Sequence, residues 1–199
     1  MISIILPYLT ANKCIDLFRK IIAENTTNEY EIIEIADQKD VYGSFNEGAK
    51  LANGDLLIFM NDDIFVSKGW DELYVKYVTG KTVGTGYLVE PGVAPVSYKN
   101  LEKDFGRTPT SYRHEDFMNW CDKEKSNTPE ILQDTKGWYL PMAIKKEFFV
   151  DFPNEQKFPH PNDILLVDDL LPRLCYTFIM VASFAYHLQG YSHIKDNRS

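Results

Sequence analysis

The first sixty residues alternate between short apolar runs and longer stretches whose apolar positions recur every three to four residues. Residues 2–6 and 55–60 read as strands buried on both faces, and 31–36 as a strand between them. Pro7 should end the first strand, because it has no N–H to give to a ladder. Cys14, Phe18, Ile21 and Ile22 share one face of a helix that closes near Asn25, with Thr10 or Asn12 as its cap. Residues 43–52 form a second helix, capped by Ser44 and closed by Asn53-Gly54. The order strand, helix, strand, helix, strand predicts a parallel sheet with right-handed crossovers.

Further along, residues 70–78 read as an amphipathic helix and 82–89 as a strand. The pattern weakens over 90–135, where prolines 91, 95, 109 and 129 interrupt a charged, aromatic stretch and only 112–123 looks helical. Residues 137–144 read as a strand, 145–150 as a short helix, and 152–162, with three prolines, as a loop. Residues 163–175 look helical despite Pro172, and 177–188 give one or two strands. The expected fold is α/β, with a mostly parallel central sheet flanked by helices, and residues 1–199 are expected to form one domain.

Composition narrows the classes. An apolar share of 44% over 199 residues suits one globular domain. A net charge of -8 argues against nonspecific nucleic-acid binding, which needs basic surface to displace counterions. Cys14, Cys121 and Cys175 are widely spaced, as in a reducing compartment rather than a disulfide or zinc framework. No secretory signal and no apolar run near the roughly 20 residues of a membrane span is visible. The expectation is a soluble, cytoplasmic protein, with peripheral membrane association left open.

The chemistry gathers at Asn61-Asp62-Asp63, at the carboxyl end of the third expected strand. In open α/β sheets that end is where ligands bind. Two carboxylates and an amide are donors that Mg²⁺ or Mn²⁺ prefers, and such a cation can hold a nucleotide diphosphate. Taken alone, the trio serves equally well as a solvated turn with a helix-capping Asp. Two other motifs fail: Gly80-Lys81-Thr82 lacks the earlier glycine of a P-loop, where Val75 stands. Gly84-Thr85-Gly86 has Val89 at the third glycine of a dinucleotide fingerprint, and a strand rather than a helix surrounds it.

Several segments stand in a telling order: Ser3-Ile4-Ile5-Leu6-Pro7-Tyr8, Glu31-Ile32-Ile33-Glu34-Ile35-Ala36-Asp37, Phe45-Asn46-Glu47-Gly48-Ala49, Ala52-Asn53-Gly54-Asp55 and Asn61-Asp62-Asp63, then Gly69-Trp70. In the second half come Tyr139-Leu140-Pro141, Asp168-Asp169-Leu170-Leu171-Pro172-Arg173-Leu174 and His187-Leu188-Gln189-Gly190-Tyr191-Ser192. In these the chain resembles the family 2 type of glycosyltransferase with a GT-A fold, over roughly residues 1–90 and 137–193. The resemblance implies a nucleotide-sugar and metal half at about 1–90 and an acceptor half at about 91–199. It also implies a Mn²⁺ or Mg²⁺ cofactor and an inverting, metal-dependent sugar transfer to a hydroxyl acceptor, most simply a glycan.

Residue by residue, Asp63 matches the metal-binding end of the family motif, while Asn61 departs from the usual first Asp and brings no charge. Asp62 suits a turn. Pro7, Tyr8, Asp37, Asn46, Asn61 and Asp62 fall at nucleotide-sugar positions, with Asp37 near the base. There a carboxylate favours the ring N–H of uracil, which makes UDP-glucose or UDP-galactose the first donors to try. His187 stands as a third metal ligand or diphosphate contact. Asp169, ahead of Asp168, is the expected base that takes the proton of the attacking hydroxyl. Trp138 and Tyr139 open the acceptor-side strand, where aromatic faces can stack on sugar rings or fill the core. The rival readings are a sugar-1-phosphate nucleotidyltransferase, which normally carries a Gly-rich basic loop absent from residues 7–13, and a non-catalytic nucleotide-sugar or glycan binding module.

Overall fold

A computed structural model describes residues 1–11, 14–36, 40–92, 100–133, 140–153 and 170–188. The chain opens as expected, with β1 (Ile2–Tyr8), α1 (Ile15–Asn25), β2 (Tyr30–Ala36), α2 (Val41–Leu51) and β3 (Leu56–Phe59). β1 pairs in parallel with both β2 and β3, and Ile4, Ile5, Leu57, Ile58 and Phe59 are completely buried. Burial on both faces explains why these strands carry almost no alternation.

α1 lays Phe18, Ile21 and Ile22 on the sheet, and its last residue, Asn25, donates from Nδ2 to the Val66 carbonyl at 3.0 Å. α2 is capped by Asp40, whose carboxylate accepts from Tyr42 N at 3.1 Å, rather than by Ser44, whose hydroxyl donates to the Asp40 carbonyl. Gly48 lets α2 approach β1: a Cβ there would lie 2.3 Å from Ile5 Cγ2.

After β3 come β4 (Ile64–Val66), α3 (Glu72–Tyr77), β5 (Thr82–Glu90), β6 (Leu101–Glu102), α4 (His114–Lys125), β7 (Ile131–Gln133), β8 (Met142–Lys145) and β9 (Thr177–His187). The sheet order is β2-β1-β3-β8-β5-β9-β4, with β6 on β5 and β7 on β9. The expectation of a mostly parallel sheet is corrected: it is mixed, and among the described residues as many pairings are antiparallel as parallel. Two of the antiparallel pairings come from β8, which enters between β3 and β5 and runs against both, and the others from β4 and β7 on β9. Gly84-Thr85-Gly86 lies inside β5, as the failed fingerprint predicts.

The expectation at Pro7 is also corrected. β1 runs through Pro7 to Tyr8, because β3 pairs with β1 only as far as Ile5, so that flank has no further ladder for Pro7 to interrupt. Of the helix expected over 163–175, the described part includes a helical turn at Leu171–Arg173, which contains Pro172. Cys175, at φ 62°, ends it, and residues 154–169 lie outside the described residues. Among the described residues no helix is long and apolar enough to cross a membrane.

Candidate functional site

The pairing of β3 with β1 closes with Met60 N donating to the Ile5 carbonyl at 3.1 Å, while β1 runs on to Tyr8. The chain then turns through Asn61, Asp62 and Asp63, closed by Ile64 N donating to the Asn61 carbonyl at 3.3 Å, and enters β4. β4 lies antiparallel to the end of β9, with Ile64 opposite His187 and Leu188 N donating to the Asp63 carbonyl at 3.0 Å. β5 runs parallel along the other side of β9, with Val89 opposite Tyr186. Three strand ends thus deliver Asp63, His187 and Glu90 to one place.

The contacts are specific. His187 Nδ1 and Glu90 Oε1 are 2.8 Å apart, a hydrogen bond. His187 Nε2 and Asp63 Oδ2 are 3.6 Å apart, an electrostatic contact too long for a hydrogen bond. Glu90 is held in turn by Asn100, whose Nδ2 donates to Oε2 at 2.8 Å, and its own carbonyl accepts from Lys103 N at 2.8 Å. Only 5% of Asp63 and 5% of Glu90 is exposed, so both carboxylates are withdrawn from water.

Burial alone would lower the pKa of His187, but the carboxylates of Asp63 and Glu90 outweigh it and push it up to about 10. Burial would raise Glu90, yet its bonds from His187 and Asn100 hold it below the usual carboxylate range. Among the described residues Asp63 Oδ1 is buried and has no hydrogen-bond partner, a condition it shares with Ser67 Oγ, Thr85 Oγ1 and Asn100 Oδ1. Buried carboxylate oxygens are normally satisfied, since leaving one bare is costly.

A hard cation is the partner such an oxygen fits. Mg²⁺-type sites are commonly built from one or two carboxylates completed by substrate phosphates and water, and Asp63 could supply such a carboxylate. Among the described residues no group of three or more His, Cys, Asp or Glu side chains is arranged to hold a metal ion by itself.

The other expected residues fall around this point or outside the described chain. Pro7 is buried and Tyr8 half-buried at the end of β1, Asn61 is half-buried in the turn, and Asp62 is buried beside Asp63. Asn46, on α2, spends its amide on the backbone of Phe152: Nδ2 donates to the Phe152 carbonyl at 3.0 Å, and Oδ1 accepts from Phe152 N at 2.7 Å. Asn46 thus ties α2 to the segment after β8. Asp37, Trp138, Tyr139, Asp168 and Asp169 lie outside the described residues. Sequence reasoning missed Glu90 and Asn100; the available signal was an acid ending an apolar strand just before Pro91.

A recess of about 210 Å³ lined by Met1, Asn28, Glu29, Asp55 and Lys145 lies at the opposite, amino-terminal end of β1 and β3. It is remote from this cluster.

No family model matches the chain, and no curated protein sequence does. Among solved structures it is similar to a nucleotidyl transferase from Methanothermobacter thermautotroptrophicus, with a TM-score of 0.53 and 11% identity over 98% of this chain and 96% of that one. The likeness is one of fold: an α/β architecture with a mixed central sheet and flanking helices.

Proposed function

We propose that this chain is a transferase acting on a nucleotide-sugar, with a GT-A type of fold and a divalent cation held at Asp63 and His187. The observation that carries the reading is the bare, buried Oδ1 of Asp63, beside His187 at the carboxyl ends of the strands. In this reading the diphosphate lies over the turn of Asn61, Asp62 and Asp63, and the nucleoside lies toward Pro7, Tyr8 and Asp37. Mn²⁺ or Mg²⁺ bound there would neutralise charge on the departing diphosphate. Asp63 and His187 hold and orient, and their burial keeps water from competing for the phosphate oxygens.

Glycosyl transfer is the preferred chemistry. An acceptor hydroxyl, most simply on a glycan, attacks the anomeric carbon on the face opposite the diphosphate. Asp169, or its neighbour Asp168, takes the hydroxyl proton, and the configuration inverts. Trp138 and Tyr139 would then supply the acceptor-side aromatic faces. The amino-terminal half would serve the donor and the second half the acceptor.

A second reading, sugar-1-phosphate nucleotidyl transfer, draws support from the fold comparison, whose partner is described as a nucleotidyl transferase. Against it stands the segment after β1, Leu9-Thr10-Ala11-Asn12-Lys13, which has no glycine and a single basic residue to receive a triphosphate. One screen separates the two. The protein is incubated with Mn²⁺ and either UDP-sugars plus glycan acceptors, or nucleoside triphosphates plus sugar-1-phosphates. Release of UDP with sugar transfer supports the first reading. Pyrophosphate release supports the second and overturns the first. Binding without either product identifies a non-catalytic module.

A further inference from the structure

His187 can present only one ring nitrogen to a cation, and the other must be committed elsewhere. In this fold the commitment is made by a residue 97 positions earlier in the chain, with Glu90 Oε1 lying 2.8 Å from Nδ1. Glu90 is itself buried and held at its second oxygen by Asn100 Nδ2 and at its carbonyl by Lys103 N. It is a fixed acceptor rather than a swinging one. With Nδ1 engaged, Nε2 is the atom left facing Asp63.

We propose that Glu90 is the positioning residue of the cation site. It takes the Nδ1–H of His187, which fixes the ring's orientation and tautomer and turns Nε2 toward the place where Asp63 Oδ1 stands bare. Asn100 serves one step further out by keeping the Glu90 carboxylate from rotating. The assignment rests on the cation reading above. Its physical basis is general: a carboxylate behind a liganding imidazole orients the ring and raises its basicity, and loss of that support costs about 10–100-fold in metal affinity.

The test uses the full chain with histidine labelled in ¹⁵N, and His187→Gln to assign the ring signals. Long-range proton–nitrogen spectra of the wild type with Mg²⁺ and UDP bound, where the liganding ring is neutral, are expected to show a slowly exchanging proton on Nδ1 and none on Nε2. A ring protonated on Nε2 alone overturns the proposal, and does so without any variant that must fold. Mn²⁺ binding, followed by the loss of the free-ion electron paramagnetic resonance signal, is expected to weaken about 10–100-fold in Glu90→Leu. Glu90→Gln should recover part of that loss, since its side-chain carbonyl still accepts from Nδ1. A wild type that binds while both variants bind equally well overturns the role of Glu90 alone. A wild type that binds no Mn²⁺ in the presence of UDP overturns the cation reading and the assignment with it.

Discussion

Two acidic residues, at opposite ends of the same sheet, show how the chain separates structure from chemistry. At the amino-terminal end, Glu31 on β2 accepts from the Ser3 hydroxyl at 2.6 Å, from Asn53 N at 2.6 Å, from Asn53 Nδ2 at 2.9 Å and from Gly54 N at 3.2 Å. Burial would raise its pKa, but these donors bring it down to about 2. At the carboxyl end, Asp63 is more deeply buried yet keeps one oxygen with no hydrogen-bond donor among the described residues. The first carboxylate is a closed joint between β1, β2 and the turn before β3. The second is a valence left open. The comparison teaches that donor count, more than burial, marks the acid that awaits a ligand.

If that contrast is right, the two residues should fail in opposite ways. Asp63→Ala is expected to abolish Mn²⁺-dependent turnover of the donor while unfolding free energy stays within about 1 kcal/mol of wild type, because the lost Oδ2–His187 contact is offset by removal of a buried carboxylate oxygen with no hydrogen-bond partner among the described residues. Turnover assays with and without EDTA, beside urea melts, check both halves; turnover that survives EDTA would remove the cation from the scheme. Asp169→Asn, the proposed base, should lower transfer by about 10²–10⁴-fold with donor affinity unchanged. Single-turnover kinetics and calorimetry on that variant and on Asp168→Asn decide which of the two carries the role.

Glu31→Gln should do the reverse of Asp63→Ala. Replacing one acceptor oxygen by an amide leaves backbone and hydroxyl donors unmatched, at a cost of about 1–3 kcal/mol, with turnover per folded molecule preserved. The smallest effect is the pH slope. Because the folded-state pKa of Glu31 is depressed, its contribution is complete above the ordinary value of 4.5 and is lost as pH falls toward about 2. Acid melts of Glu31→Gln should therefore be flatter than wild type across that window. The parent is the necessary reference, since Asp55 titrates near there too, brought down to about 2 chiefly by its bond from Lys145.

How much of this was legible depends on distance along the chain. β1, α1, β2, α2 and β3 follow from local periodicity, because all three strands pair within the first sixty residues, β1 lying between β2 and β3. The Asn61-Asp62-Asp63 turn was legible for the same reason, since it ends a run that only a buried strand explains. The mixed sheet was not, because the antiparallel insertion of β8 joins residues more than eighty positions apart. Asp63 and His187 could be singled out separately, yet nothing between them in the sequence says that β4 and β9 pair. Glu90 was hidden more thoroughly: an acid after Val89 looks like the polar end of any strand until β9 is laid beside it.

The pairing of β4 with β9 has a consequence for how this protein can change. Asp63 and His187 owe their proximity to a ladder in which Ile64 faces His187 and Leu188 reaches the Asp63 carbonyl. Side chains along a strand alternate between faces, so a single inserted or deleted residue near the end of β9 would carry the imidazole to the far side of the sheet. Length, and not only residue type, is therefore under constraint in that strand, and a lineage could swap many of its apolar residues before it could tolerate one indel.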